Sequence, residues 1–475
     1  MMLALAIPGL SADPLPPLRR EFRAAWVATV DNIDWPSKRT LSTPQQQAEL
    51  TAIFDRANEI GLNAIIFQVR PSADALYESP LEPWSEYLTN RQGRAPSPKW
   101  DPLAFAVKLA HDRAMELHVW MNPYRAFHPA QKGPISSDHI AKTRPELVKS
   151  YGKYLWMDPG EPDVQKRILA VTRDIVRRYD IDGIHIDDYF YPYPEKRQPF
   201  PDELSYRAYQ ARGGNLARDD WRRKNVDDTV RGMYEAIKAE RVTVKFGISP
   251  FGIYRPGIPS GIKAGVDQYS ELFADAQKWL REGWCDYFSP QLYWPIAQKA
   301  QSFPRLLAYW QSQNLRSRHL WPGLFTSRVM PAEGNWQPAE IINQVKLIRD
   351  SGGDGEVHFS MKALQKDANG VTDLLRGSAY GNVAFVPESS WIPDASSSTP
   401  ELSVQENRVT WKISRGKLPF AWGFYRRYGR KWLVNRCPAI QTSFELDATE
   451  KPDEVAVVAV NRAGKASAAA RITIK

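Results

Sequence analysis

The sequence predicts an α/β chain, a (β/α)₈ TIM barrel followed by a small all-β sandwich, and two observations carry that expectation. Between residues 22 and 375 short apolar runs alternate with amphipathic helical patterns, eight runs in all. Repeated βα units imply a parallel sheet, and eight of them close most naturally into a barrel. Beyond residue 400 the hydrophobic period changes to two, in VTWKIS, FAWGFYRR, VAVVAVNRAG and ARITIK, the pattern of half-buried strands. The alternative, a doubly wound open sheet, lacks its usual mark: no Gly-x-Gly-x-x-Gly or phosphate loop follows any run.

The first run is residues 22–30 (FRAAWVATV). A helix opens at Thr43 and Pro44, carries Leu50, Ile53, Phe54, Ala57 and Ile60 on one stripe, and closes at Gly61. Residues 64–69 form the second run. Asp101 and Pro102 read as the N-cap and first residue of the next helix, and residues 117–121 are the third strand. A helix over 162–179 aligns Val164, Ile168, Val171, Ile175 and Val176 before strand four at 183–187. A helix over 220–240 precedes strand five at 245–249, one near 270–282 precedes strand six at 287–292, and one near 304–313 precedes strand seven at 320–325. The helix over 338–350 ends at Gly352 and Gly353, before strand eight at 356–359. No clear helix is predicted after strand eight.

The composition is that of a globular chain of 475 residues, with 43% hydrophobic and 25% charged residues. Four segments are expected: an apolar tail over 1–20, the barrel over 21–378, a Ser/Pro-rich linker over 379–400 (ending in PESSWIPDASSSTP) and a β-sandwich over 401–475 whose last strands resemble fibronectin type III-like modules. Residues 3–10 are apolar and are followed by Ser11 and Ala12, the end of a signal-peptide pattern without its basic start. That favours export. No later run is long and apolar enough to span a bilayer. The two cysteines, Cys285 and Cys437, fall in different predicted domains and form no disulfide framework. A net charge of +9 suits an anionic partner. The basic residues are scattered and no nucleic-acid-binding motif occurs, so no nucleic acid is expected.

Active sites of such barrels lie at the C-terminal ends of the strands. There the sequence offers Arg70, Asp74 and Glu78 after strand two; Asn122, Tyr124, Arg125 and His128 after strand three; IHIDDYFYPYP after strand four; and Gln291, Tyr293 and Trp294 after strand six. Planar polar groups for hydroxyls and rings for stacking are what a sugar cleft needs, and 17 Trp residues fit it. No phosphate loop, serine elbow or metal-ligand spacing occurs, so neither cofactor nor metal is expected. Alternation along strand four places His185, Asp187 and Tyr189 on one face, with Asp188 at the strand end.

The strand-four segment DGIHIDDY resembles the chitinase-like signature Asp-Gly-x-Asp-x-Asp-x-Glu at Asp182, Gly183 and Asp187. His185 stands for an Asp and Tyr189 for the acid Glu. It resembles the amylase-type Gly-x-Arg-x-Asp at Gly183 and Asp187, where the Asp is the nucleophile. Across residues 21–375 the chain is more similar still to the glycosyl-hydrolase-like family ten, through RAAWVATVDNIDWP, QVRPSADALYESPLEPWS, DPLAFAVKLAH, HVWMNPYR, WMDPGEPDVQ, DGIHIDDYFYP and SPQLYW. The resemblance implies an exported enzyme that cleaves peptidoglycan glycan strands, particularly strands stripped of stem peptides.

Glycosidases generally use two carboxyl groups, one to protonate the leaving oxygen and one to attack or to activate water. Asp187 is expected as nucleophile or electrostatic stabiliser. Asp188 is the candidate acid, with Asp74 and Glu78 in reserve. Arg70, Asp74, Asn122, Tyr124, Arg125, His185, Tyr189, Gln291, Tyr293 and Trp294 are expected to bind substrate, an Arg suiting the lactyl carboxylate of N-acetylmuramic acid. Two other readings stay open: a glycan-binding barrel that has lost catalysis, supported by Tyr189, and a metal-assisted deacetylase.

Overall fold

The structure, a computed structural model, describes residues 14–195, 198–395 and 397–474. The apolar run of residues 3–10, read as an export signal, lies outside them. Eight parallel strands form the barrel: β1 (Phe22–Val27), β2 (Ala64–Arg70), β3 (Glu116–Met121), β4 (Gly183–Ile186), β5 (Lys245–Ile248), β6 (Tyr287–Phe288), β7 in two pieces (His319–Leu320 and Gly323–Leu324) and β8 (Gly355–His358). Trp321 and Pro322 interrupt β7. Its first piece pairs with β6 and its second with β8, and β8 pairs with β1, so the ring closes. All strand residues are buried, because helices cover the outer face and the barrel fills its own interior.

The helices sit where the periodicity predicts. α1 (Thr43–Ile60) starts at Ser42, whose backbone N–H donates to Gln45 Oε1 at 2.9 Å, and ends at Gly61 with φ 93°. α2 (Pro102–His111) is capped by Asp101, which accepts from Ala104 N at 3.0 Å. α3 (Pro162–Arg178) buries the Val164, Ile168, Val171, Ile175, Val176 stripe. α4 (Arg218–Glu240), α5 (Ala276–Glu282), α6 (Phe303–Gln313) and α7 (Pro338–Asp350) complete the regular crossovers. Two short helices, α8 (Met361–Gln365) and α9 (Val371–Gly377), follow β8, where the sequence shows none. Each is too short for a repeating stripe.

Two cores result. One lies between strands and helices. The other fills the barrel axis with Phe22, Ala24, Trp26, Ala28, Ile66, Trp120, Tyr287, Trp321 and Val357, alternate residues of their strands. Long connections at the strand C-termini build walls above it: a three-stranded antiparallel sheet (Arg125–Phe127, Val148–Tyr151, Tyr154–Met157) after β3, and residues 187–195 and 198–217, with the helix Glu203–Ala211, after β4.

Residues 401–473 form two antiparallel sheets, one of three and one of four strands, packed around Val409, Trp411, Trp422, Phe424, Val455 and Val457. This unit and the Ser/Pro-rich stretch before it cover the opposite, N-terminal end of the barrel. Arg462 bonds Asp182 at 2.6 Å and Asp180 at 2.5 Å, just ahead of β4. Trp391 Nε1 donates to Asp286 at 2.9 Å and Arg436 Nη2 to Leu62 O at 2.8 Å. The stretch read as a linker is thus packed: Ser389 and Phe385 are buried, and Phe385 pairs with Arg20. Both cysteines are buried and free. Among the described residues no helix is long and apolar enough to cross a membrane.

Candidate active site

A cleft of about 570 Å³ opens at the C-terminal ends of the strands. Its charged floor comes from the end of β4. That strand stops at Ile186, so the chain turns and both Asp187 and Asp188 reach the cleft instead of diverging as strand neighbours would. Both are nearly buried, 5% and 6% exposed.

Asp187 is held by Asn122, whose Nδ2 lies 2.7 Å from both carboxylate oxygens. The Asn122 amide cannot turn over. Its Oδ1 accepts from Gln68 Nε2 at 2.7 Å and from Arg125 Nη2 at 2.9 Å. Asp188 accepts a hydrogen bond from the Tyr193 hydroxyl and is further stabilised by Gln291. Two adjacent buried carboxyls resist ionising together. Burial first, then the Asp188 charge, push the Asp187 pKa up to about 7, against the pull of Arg125 and Asn122. Burial also raises Asp188, opposed by its hydrogen bonds from Tyr193 and Gln291. Burial thus favours the protonated form of both carboxyls, and the charge of one opposes the charge of the other.

Arg125 is the cation beside the pair. Its Nε donates to Pro71 O at 2.8 Å and its guanidinium lies 5.0 Å from the Tyr189 ring centre. Tyr189 consequently packs on a cation where a chitinase-like enzyme would present its acid. Aromatic rings wall the rest. Tyr293 packs on Phe325 (4.7 Å) and Phe359 (5.9 Å), and Trp294 meets Phe251 edge-on at 5.8 Å. His128 also lines the cleft, with a pKa lowered to about 4 chiefly by burial, so it is neutral. Arg328 stands at the rim over Phe325.

Of the residues expected from sequence, Asp187, Asp188, Arg125, Tyr189, Gln291, Tyr293 and Trp294 line this cleft. Asn122 and His185 lie directly beneath it, fully buried. Three are elsewhere, which corrects their expected place in the sugar cleft. Arg70 is fully buried and spends its guanidinium on Glu82 (2.7 and 2.5 Å) and Asn122 O (2.5 Å), fastening the loop after β2 to that after β3. Asp74 is a buried turn residue accepting from Ser72 N at 3.0 Å, and burial raises its pKa to about 6. Tyr124 points outward into the layer between strands and helices. The reserve acid Glu78 pairs with Lys99 on the surface. Trp26, Trp120, Tyr193, Phe251, Phe325, Arg328 and Phe359 also line the cleft, although none is among the residues expected to bind substrate. Alternation in β1 and β3 was the available signal for Trp26 and Trp120. Tyr193 and Arg328 reach the cleft through irregular loops that no period marks.

An eight-stranded barrel with a buried carboxyl pair in an aromatic cleft at its C-terminal rim has the architecture of a glycoside hydrolase. The chain belongs to the Glycosyl hydrolase-like 10 family, whose model matches residues 21–339, and it is a glycosidase-type enzyme. It is 40% identical over 395 residues to the glycosyl hydrolase YngK of Bacillus subtilis, covering 81% of this chain and 76% of that protein. It is 35% identical over 310 residues to the glycosyl hydrolase DigH of Escherichia coli K12, covering 61% of this chain and 69% of that one. Among solved structures, the glycoside hydrolase domain of PgaB (BpsB) from Bordetella bronchiseptica shares the fold, with a TM-score of 0.51 at 13% identity, over 76% of this chain and 99% of that domain.

Proposed function

We propose that this protein hydrolyses the glycan strands of bacterial peptidoglycan, acting on strands stripped of their stem peptides, with Asp187 as general acid and Asp188 as its carboxylate partner. The observation that carries the reading is the buried Asp187–Asp188 pair at the floor of an aromatic cleft. A carboxyl with a pKa near 7 is poised to protonate a leaving glycosidic oxygen. Its neighbour Asp188, fixed by Tyr193 and Gln291, is placed to stabilise, once ionised, positive charge developing at the anomeric carbon. This reverses the role that the sequence alone favours for Asp187. Retaining such a pair under burial is costly for a barrel that only binds, which weighs against the non-catalytic reading.

Arg125 and Arg328 are the cations lining the cleft, and they suit a glycan bearing the muramyl lactyl carboxylate. The absence of stem peptides fits a cleft walled by rings close to the chain. Work on wall glycan also requires export. The test is product analysis by mass spectrometry and reducing-end assay on denuded glycan, intact sacculi and chitin oligosaccharides. Preferential release of short peptide-free fragments from denuded glycan is the expected result. Cleavage of none of the three, or loss of acetyl groups without chain cleavage, would overturn the reading.

A further inference from the structure

The barrel axis contains an unbroken hydrogen-bonded column. Trp26 Nε1 lies 3.1 Å from His185 Nε2; His185 Nδ1 is 3.0 Å from the Tyr287 hydroxyl; that hydroxyl is 2.8 Å from His118 Nδ1; His118 Nε2 is 2.9 Å from Glu116; and Glu116 meets Lys245 at 2.7 Å. Every member is buried. Lys245 also donates to Arg462 O of the C-terminal unit, at 3.3 Å. Two glycines clear its path. A Cβ on Gly183 would meet His118 at 2.6 Å, and one on Gly247 would meet the Tyr287 ring at 1.9 Å.

The chemistry of the groups fixes the direction of the column. An indole N–H only donates, so His185 Nε2 accepts and its proton resides on Nδ1. Nδ1–H then donates to the Tyr287 oxygen, and the Tyr287 hydroxyl donates to His118 Nδ1. His118 Nε2–H donates to Glu116. This is the assignment that leaves no donor in the column without an acceptor, and a buried unsatisfied donor is expensive.

We infer that the column exists to lock the indole of Trp26 at the floor of the cleft, beside Asp187, and that His185 and Tyr287 are positioning residues acting through Trp26 on the bound sugar. Trp26 lines the cleft and lies against Gly323, where a Cβ would come within 2.9 Å of its ring. Trp26 is only 2% exposed, so it meets a sugar along the small edge it shows to the cleft, and an indole free to rock would shift that floor under the ring next to the reacting bond. His185 holds the polar edge of Trp26 in place. This inference rests on the glycosidase reading above.

Tyr287→Phe removes one hydroxyl and keeps the ring that packs on Phe22 and Trp321. It leaves His185 Nδ1–H without an acceptor and frees its tautomer. The expected loss in kcat/KM on denuded glycan is on the order of tenfold, mostly in KM. Tyr287 is linked to Trp26 by hydrogen bonds through His185, so in a Trp26→Phe background the same change should cost less than about twofold more. A residue with a merely structural role would give additive losses. Independently, ¹⁵N-histidine NMR of the wild type should show His185 neutral with its proton on Nδ1. Additive losses, or His185 charged or protonated on Nε2 at neutral pH, overturn the inference. A wild type that cleaves no glycan instead defeats the functional reading, and the tautomer measurement still decides the column.

Discussion

Replacing Asp187 by Asn separates what this side chain does for the reaction from what it costs the fold. The substitution keeps the shape, and the new amide oxygen still accepts from Asn122, while the new NH2 replaces the second oxygen that Asn122 Nδ2 approaches at 2.7 Å and must turn aside. Asp187 has a pKa near 7 in place of the ordinary 3.8. Between those values the folded protein binds a proton that the unfolded chain does not. Stability therefore falls as pH rises through about 4 to 7, and the deficit persists above. With ~1.4 kcal/mol per pKa unit, the deficit at pH 8.5 is at most roughly 4 kcal/mol, shared with Asp188. The Asn variant lacks it. At pH 8.5 it should be more stable than wild type by ~1–3 kcal/mol, a rise in Tm of several degrees. At pH 4, where both side chains are neutral, the two proteins should melt together. Turnover of denuded glycan should meanwhile fall by about a thousandfold, the scale of a lost general acid. Calorimetry at the two pH values and reducing-end release make the comparison. A folded variant with near wild-type turnover would remove Asp187 from the mechanism. An unchanged Tm at pH 8.5 would refute the electrostatic account of the pair.

Asn122→Ala should lower kcat/KM by about 10–100-fold and move the alkaline limb of its pH profile upward, because Asp187 loses the donor that favours its ionised form. Arg70→Met should destabilise the protein by ~3–5 kcal/mol in denaturant unfolding, since Glu82 is left buried without its partner; a sugar ligand would raise KM and leave stability alone. Trp294→Ala should raise KM on glycan about tenfold with little effect on kcat, measured by steady-state kinetics. Arg462→Ala should lower Tm by a few degrees through loss of its bonds to Asp180 and Asp182, with activity on short glycans retained.

Most of the barrel was legible because its helices are long and one-sided, as in α3, and its strands are uniformly apolar. What escaped was short: α8 and α9 have no room for a period, and β7 is broken by Trp321 and Pro322. The cleft was legible as a location, the strand ends, more than as a set of side chains. Arg70 and Asp187 look alike in the sequence, polar residues at strand ends. They part company because Glu82, twelve positions on in an irregular loop, folds back onto Arg70, and nothing local encodes that return. Tyr124 follows a strand whose next turn rotates it outward. Trp26 could have been read inward by counting in twos from Phe22, but its value as a floor depends on His185, which is brought to it by the closing of the barrel.

The covering of the barrel's lower end has a consequence for anyone who would cut or recombine this chain. Composition draws a seam at the Ser/Pro-rich stretch, yet Phe385, Ser389 and Trp391 within it are stoppers, set against the strand entrances. Arg462, far beyond it, caps Lys245 through its carbonyl. A cut at the seam would bare the strand entrances and the Lys245 end of the axial column to water. The transferable module is barrel and plug together.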